Sequence, residues 1–292
     1  MLPIQAYKQL TSLDFKLLRS IEAGMRSFKY VPIDVISRKA RVRVELASKI
    51  LSKLCSLGLL MRRLVSYEGY TLTYWGYDCL ALKALVDSDF IIGIGKPLGI
   101  GKEADVYEGF TPVNERVAVK FHRLGRISFR KTRRFRSYLE DKDNLPWMFQ
   151  AKIAAKNEYK VLEHLHSIGV KVPKPYTYNR HVVVMSFIYG DPLYVCDYLP
   201  NPISFYKSIL TEVKKTYRIG GFVHGDLSEY NVIVSEDFLP LIIDWPQAVS
   251  IYHPSAERLL RRDIFNIVMF FNRRFGLKLK FKDAFSFIVG AS

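Results

Sequence analysis

The segment HGDLSEYN at 224–231 constrains this chain more than any other stretch of its length. It places a carboxylate, Asp226, and a carboxamide, Asn231, five positions apart on one short loop. A carboxylate can accept a proton from an incoming hydroxyl. An amide oxygen is a neutral ligand for a hard divalent cation.

Phosphoryl transfer uses both groups together, and three further elements occur in the order it requires. The first is GIGKEADV at 99–106, with Gly99, Gly101 and Val106 matching a glycine-rich phosphate loop and Ala104 where a third glycine would stand. Glycines let backbone N–H groups approach phosphate oxygens. Alternation over 105–110 predicts a strand, so the loop joins a hairpin. No Lys-Ser or Lys-Thr follows, which excludes a Walker A loop. The second is Val117-Ala118-Val119-Lys120, a strand ending in a lysine whose partner would be Glu158 on a helix predicted over 151–167. Taken singly, each could equally be a solvated surface charge. In order with the glycine loop they read as the clamp on the α- and β-phosphates. The third is Leu241-Ile242-Ile243-Asp244-Trp245-Pro246, an apolar strand ending in a carboxylate. A hairpin through Glu236-Asp237 would return Asp244 to Asn231 as a second metal ligand.

His181 to Met185 reads as an apolar strand running into Ser186-Phe187-Ile188-Tyr189-Gly190, a hinge between lobes. Met185 would gate an adenine pocket, and backbone groups of Ser186 and Ile188 would meet the base edge. A helix is predicted over 205–218, a closing helix over 264–271, and a basic C-terminal patch over 273–282. The 48 residues after Asp244 hold no Ala-Pro-Glu. They leave no room for an ordinary activation loop and peptide groove.

Three widely spaced cysteines, Cys55, Cys79 and Cys196, form neither a metal cluster nor a disulfide framework and read as apolar fillers. No apolar run approaches the ~20 residues of a membrane span, and no signal pattern opens the chain; the expected location is cytoplasmic. The net charge is +16. Residues 1–90 carry 14 basic against 8 acidic side chains, the remainder 30 against 20, so both parts are basic. That excess favours polyanions, chiefly nucleic acid. The densest run, RLGRISFRKTRRFR at 123–136, holds six arginines, Lys131 and two phenylalanines. Arg126, Arg130, Lys131, Arg133 and Arg134 would meet phosphates, with the phenylalanines stacking on bases.

The first ninety residues read as a separate module. Leu13, Leu17, Leu18 and Ile21 mark one helix ending near Gly24; Pro32-Ile33-Asp34 opens another; Ala47, Ile50, Leu51, Leu54 and Leu57 stripe a third, ended by Gly58. Alternation over 59–65 and 70–74 reads as a hairpin. Helices followed by a two-stranded wing describe a winged helix-turn-helix. Arg38, Lys39, Arg41, Arg43, Lys49 and Lys53 would make its phosphate contacts. Such a module could dock on protein instead.

Taken together, Gly99-Ile-Gly-Lys-Glu-Ala104, Val119-Lys-Phe-His-Arg-Leu-Gly125, HGDLSEYN and Ile243-Asp-Trp-Pro-Gln247 resemble the RIO atypical kinases over essentially the full length. The N-terminal module, with Ile21-Glu22, Gly69-Tyr70 and Leu72-Thr73, is similar to the branch called RIO kinase two, in its compact archaeal form. The resemblance implies an α+β chain: a winged helix-turn-helix domain over 1–90, then a reduced bilobal kinase domain over 91–292, with lobes at about 91–188 and 189–292. It implies an ATP- and Mg2+-dependent serine/threonine kinase or ATPase, with Mn2+ able to substitute. Its work would be small ribosomal subunit maturation, its partners the subunit precursor, ribosomal RNA and assembly factors. By analogy Asp226 accepts the proton and Lys120 positions phosphates. Asn231 and Asp244 hold the metal, and Asp244 also accepts phosphate as a phospho-aspartate. Gly99, Gly101, Lys102, Glu103, Ala104, Val106, Lys120, Glu158, Met185, Ser186, Ile188 and Ile243 would surround ATP. The family often has serine at Ala104 and an acidic residue at Ser186; neither departure removes a catalytic group. Two other readings stay open: a small-molecule phosphotransferase of the aminoglycoside or choline kinase type, and an RNA-binding scaffold that only senses ATP.

Overall fold

The computed structural model describes residues 3–64, 66–124 and 147–290. The chain divides into two compact units, Met1–Gly95 with Phe110–Asn114, and Lys96–Gly109 with Glu115–Ser292.

The first unit opens with α1 (Pro3–Tyr7) and α2 (Ser12–Gly24). Thr11 starts α2 because its hydroxyl accepts the Asp14 N–H (3.3 Å) while the Asp14 carboxylate accepts the Thr11 N–H (2.7 Å). This reciprocal cap satisfies two donors that the helix itself cannot. Phe15, Leu17, Leu18 and Ile21 form the buried face. A Cβ on Gly24 would lie 2.5 Å from Val31 Cγ1, so the missing side chain lets β1 (Val31–Pro32) pack there. Then come α3 (Ile33–Ala40), α4 (Val44–Ser56), β2 (Leu60–Leu64) and β3 (Glu68–Leu72). The strands form an antiparallel sheet in the order β1-β3-β2. This is a winged helix-turn-helix: the expected hairpin, β2–β3, forms the wing, and β1 adds a third strand to its sheet.

Alternation suggested a strand as far as Tyr74, but β3 stops at Leu72. The Thr73 hydroxyl accepts the Gly76 N–H and caps α5 (Tyr74–Asp87) instead. That helix had no counterpart in the sequence reading. Tyr77, Cys79, Leu80, Ala81, Leu82 and Leu85 are all buried, so it lacks the single apolar stripe that marks a surface helix.

The second unit begins with β4 (Gly93–Ile100), β5 (Ala104–Phe110) and β6 (Arg116–His122). After α6 (Trp147–Ser167) come β7 (Pro175–Asn179) and β8 (Val182–Ser186). These strands form one sheet, in the order β4-β5-β6-β8-β7. Next follow β9 (Gly190–Pro192), α7 (Pro202–Arg218) and β10 (Phe222–Val223). The chain closes with β11 (Val232–Ser235), β12 (Pro240–Ile242), β13 (Val249–Ser250), α8 (Ala256–Phe275) and α9 (Phe281–Val289). Leu162, Leu165, Ile209, Leu227, Trp245, Ile264 and Phe271 belong to one continuous core.

Two helices differ from expectation. Helix α8 is two turns longer at its start than the apolar run 264–271, because its first turns mix Leu259 and Leu260 with charged residues. Helix α9 begins as the basic patch expected over 273–282 ends and had no counterpart in the sequence reading; Ala284 and Ile288 bury its inner face. Of the cysteines, Cys79 is buried, whereas Cys55 and Cys196 are only half-buried. Among the described residues no helix is long and apolar enough to cross a membrane.

Candidate active site

Strand β6 delivers Lys120 into a nearly dry cluster. Its Nζ lies 2.6 Å from Glu158 Oε1 on α6 and 2.6 Å from Asp244 Oδ1 beyond β12. Lys120 is 5% exposed and Glu158 1%. Burial alone would strip both charges, but each supplies the other's counter-charge. Burial works against the Lys120 ammonium, yet Asp244 and Glu158 raise it above its ordinary value. Burial likewise pushes the Glu158 carboxyl up, and Lys120 and His122 outweigh it, holding it down at about 2.

Asp244 is brought to this point by the β11–β12 hairpin, in register Val232↔Ile242 and Val234↔Pro240. The Ile243 N–H donates to the Asn231 carbonyl at 2.9 Å, setting Asp244 beside the loop 224–231. Asp244 has φ 68°, a left-handed conformation uncommon for a residue other than glycine. The next residue holds it there. Trp245 is 1% exposed, donates its backbone N–H to Glu158 Oε1 (3.0 Å), and its indole N–H to the Ile242 carbonyl (3.0 Å).

The loop 224–231 is held from every side. The His224 ring packs 4.5 Å from that of Trp245. Its Nε2 lies 3.0 Å from the Ile243 carbonyl, and its Nδ1 accepts the Asp226 N–H at 3.2 Å. These partners require a neutral imidazole protonated on Nε2, and burial pushes its pKa down to about 4. Gly225 has φ 78°, and a Cβ there would lie 2.5 Å from the Gln247 carbonyl, so no other residue fits. Asn231 donates its side-chain N–H to the Asp226 carbonyl at 2.8 Å, which leaves its amide oxygen for a cation.

Helix α8 supplies a grip that sequence reasoning missed. The buried Asp263 carboxylate accepts the N–H groups of Gly225 (2.8 Å) and Leu227 (3.1 Å). Asn266 donates to the Leu227 carbonyl at 3.0 Å, and Arg262 to the Gly225 carbonyl. The Arg262 guanidinium also lies 3.5 Å from Asp226 Oδ1. Burial pushes the Asp263 carboxyl up to about 7, against the pull of its two N–H donors and Arg262.

The glycine-rich turn joins β4 to β5. The Gly101 N–H donates to the Ala104 carbonyl at 2.9 Å, and a Cβ on Gly101 would lie 3.0 Å from that oxygen. Gly99, Gly101, Lys102 and Glu103 are exposed, while Ala104 and Val106 are half-buried. The Glu103 carboxylate accepts the Gln247 side-chain N–H at 3.1 Å.

At the hinge, Met185 is buried and Ser186 and Ile188 are half-buried. One expectation narrows: the Ser186 N–H donates to the Lys174 carbonyl at 2.8 Å, so its amide is not free for a base edge. A second unforeseen contact steadies the hinge. Arg116, held by Glu108 at 2.6 Å, lies over the rings of Phe187 (3.9 Å) and Tyr189 (5.3 Å). Ile243 is half-buried beside Asp244.

Lys120, Glu158, Asp244 and Asn231, scattered along the chain, thus gather on one short arc of structure with Asp226. Two family models cover most of it: the RIO domain matches residues 105–284 and the Rio2 N-terminal family matches residues 7–88. The chain belongs to the RIO kinase family. It is a RIO-type serine/threonine-protein kinase of the Rio2 branch. The Rio2 of Schizosaccharomyces pombe is 37% identical over 278 residues, 95% of this chain and 80% of that one. The Rio2 of Methanocaldococcus jannaschii is 40% identical over 256 residues, 85% and 92%. A crystal structure of a Rio2 kinase-ADP/Mg2+-phosphoaspartate complex from Chaetomium thermophilum superposes with a TM-score of 0.83 at 31% identity, covering 99% of this chain and 89% of that one.

In the winged-helix unit of this RIO kinase, Arg38, Lys39, Arg41, Arg43 and Lys49 are exposed on α3, α4 and the turn between them. Lys53 is different: its ammonium is bound to the buried Asp14 carboxylate at 2.7 Å and pins α4 to α2. Arg126, Arg130, Lys131, Arg133 and Arg134, together with Ser128, Thr132 and Ser137, lie outside the described residues.

Proposed function

We propose that this RIO kinase is an ATP- and Mg2+-dependent kinase and ATPase that works in small ribosomal subunit maturation, with Asp244 as the phosphoryl acceptor. The observation that carries the reading is Lys120 shared between Glu158 and Asp244 at 2.6 Å each, next to Asn231. Lys120 would exchange Asp244 for the α- and β-phosphates while Glu158 keeps it oriented. Mg2+ keeps waters and substrate phosphates and needs only one or two protein ligands; Asn231 and Asp244 would be those. Bound there, Mg2+ would neutralise charge building on the phosphates, and Mn2+ would serve in its place.

In the reaction the γ-phosphorus forms a bond to an Asp244 carboxylate oxygen as its bond to the β-phosphate bridging oxygen breaks, releasing ADP. Water then attacks phosphorus, its proton passing to Asp226, and inorganic phosphate leaves as the carboxylate is restored. A serine or threonine hydroxyl delivered to Asp226 would instead be phosphorylated, and self-phosphorylation is one such outcome. The C. thermophilum relative, crystallised as a phosphoaspartate complex, supports this route.

The +16 charge and the exposed cations on α3 and α4 favour ribosomal RNA, the subunit precursor and its assembly factors as partners. The site of action would be cytoplasmic. The test is ATP hydrolysis with and without small-subunit particles, followed by assay of protein-bound phosphate. We expect particle-stimulated turnover and hydroxylamine-sensitive phosphate that disappears in Asp244→Asn. Turnover that requires an added aminoglycoside or choline would overturn the reading.

A further inference from the structure

Glu158 uses its two oxygens differently. Oε1 accepts Lys120 Nζ at 2.6 Å and the Trp245 N–H at 3.0 Å. Oε2 receives neither. Facing it at 2.8 Å is Nε2 of His122, itself 1% exposed. The separation is that of a strong contact, although its geometry falls short of an aligned hydrogen bond. Neither atom has a hydrogen-bond partner elsewhere among the described residues. Two buried polar atoms without other partners are costly unless they serve each other.

His122 lies two residues beyond Lys120 on β6, and the two-residue period of a strand points both toward α6. One carboxylate is thereby grasped from both sides by one strand. The geometry points to His122 as a positioning residue for the phosphate clamp: by holding Oε2 it fixes the Glu158 rotamer in which Oε1 orients Lys120 and anchors Trp245. Without that hold, Oε2 is left buried and bare, and the carboxylate can relieve itself only by turning, which pulls Oε1 away from Lys120. The role is indirect. His122 itself need not touch nucleotide.

This inference rests on Lys120 and Glu158 forming the nucleotide clamp proposed above. The test measures affinity for a fluorescent ADP analogue with Mg2+, KM and kcat for ATP, and thermal stability, all on the full chain. We expect His122→Ala to weaken nucleotide affinity and raise KM about tenfold, the range for orphaning a buried charged acceptor, while kcat changes by less than about threefold. His122→Gln, which keeps a donor at similar reach, should recover most of the affinity. The double variant His122→Ala/Glu158→Gln should bind no worse than Glu158→Gln alone.

A folded His122→Ala with wild-type affinity overturns the inference, as do additive effects in the double variant. If His122→Ala does not fold, His122→Asn decides, because its shorter amide does not reach Oε2: weakened affinity supports the role and wild-type affinity refutes it. Lys120→Met separates the two levels. Should it bind nucleotide normally, the clamp itself is wrong; should it fail while His122→Ala binds normally, only the role of His122 falls.

Discussion

The Lys120 cluster and the glycine-rich turn would serve the same nucleotide, yet they are built in opposite ways. Around Lys120 the groups are several times engaged and Glu158, His122 and Trp245 are buried, while the Asp244 carboxylate reaches solvent: Glu158 meets Lys120, His122 and Trp245, and the loop at Asp226 is tied to α8 through Asp263, Arg262 and Asn266. The turn at 99–103 is exposed, with Ile100 61% accessible, and is fastened chiefly by the Gly101–Ala104 bond and the Glu103 contacts. A charge cluster in a dry site must be rigid, since any displaced member leaves a bare charge. A backbone that wraps phosphate must yield to it. The contrast says which parts of the site are preformed and which await the ligand.

Four measurements can break or sharpen that contrast. The largest effect belongs to the rigid side: Asp226→Asn should lower ATP turnover by about 10²–10⁴-fold, the span for losing a proton acceptor, with nucleotide affinity unchanged. Steady-state hydrolysis beside a binding titration checks it; turnover within tenfold of wild type would remove Asp226 from the chemistry. Next comes Asp263→Ala, which orphans the N–H groups of Gly225 and Leu227. Unfolding in urea should show a loss of roughly 2–5 kcal/mol, accompanied by a fall in kcat. An unchanged midpoint would mean that the grip of α8 on the loop is dispensable.

The third effect is a pH dependence. Folded His224 stays neutral down to about 4, whereas the ordinary imidazole takes a proton near 6.5. Between those values the unfolded chain binds a proton that the folded chain refuses, so stability falls as pH drops through that window. The full loss is about 3 kcal/mol, from roughly 1.4 kcal/mol for each unit of separation. His224→Asn should flatten the corresponding slope in urea midpoints measured from pH 7 to pH 4. Parallel slopes in the two proteins would sink the assignment. The smallest effect lies in the yielding part: Gly101→Ala should weaken nucleotide binding a few-fold without altering thermal stability, because its Cβ would crowd only the Ala104 carbonyl. Gly99→Ala, which meets nothing within 4 Å, is the control. Equal effects at both positions would point to general flexibility rather than that one contact.

The legibility of the molecule follows the same division. The strand carrying Lys120, the helix carrying Glu158 and the hairpin returning Asp244 could all be read, because each announces itself by a local period or turn. Helix α5 could not, since its apolar residues surround it; nor could α9, whose charged start masked a short apolar face. Lys53 shows a subtler limit. As one cation in a basic row it looks like a phosphate contact, and only the fold reveals Asp14 waiting for it, 39 residues away.

The order of residue types along the chain was enough to establish the winged helix and the reduced kinase fold and to single out Lys120, Asp226, Asn231 and Asp244 as candidates for the site, because such groups carry their reactivity wherever they stand. Only the tertiary structure decided which neighbours hold them: Asp263 across 38 residues from Gly225, His122 against Glu158, Arg116 over the hinge rings. The reason is physical. Reactivity belongs to a side chain, whereas orientation and burial belong to pairs, and distant pairs form only when the chain has closed on itself.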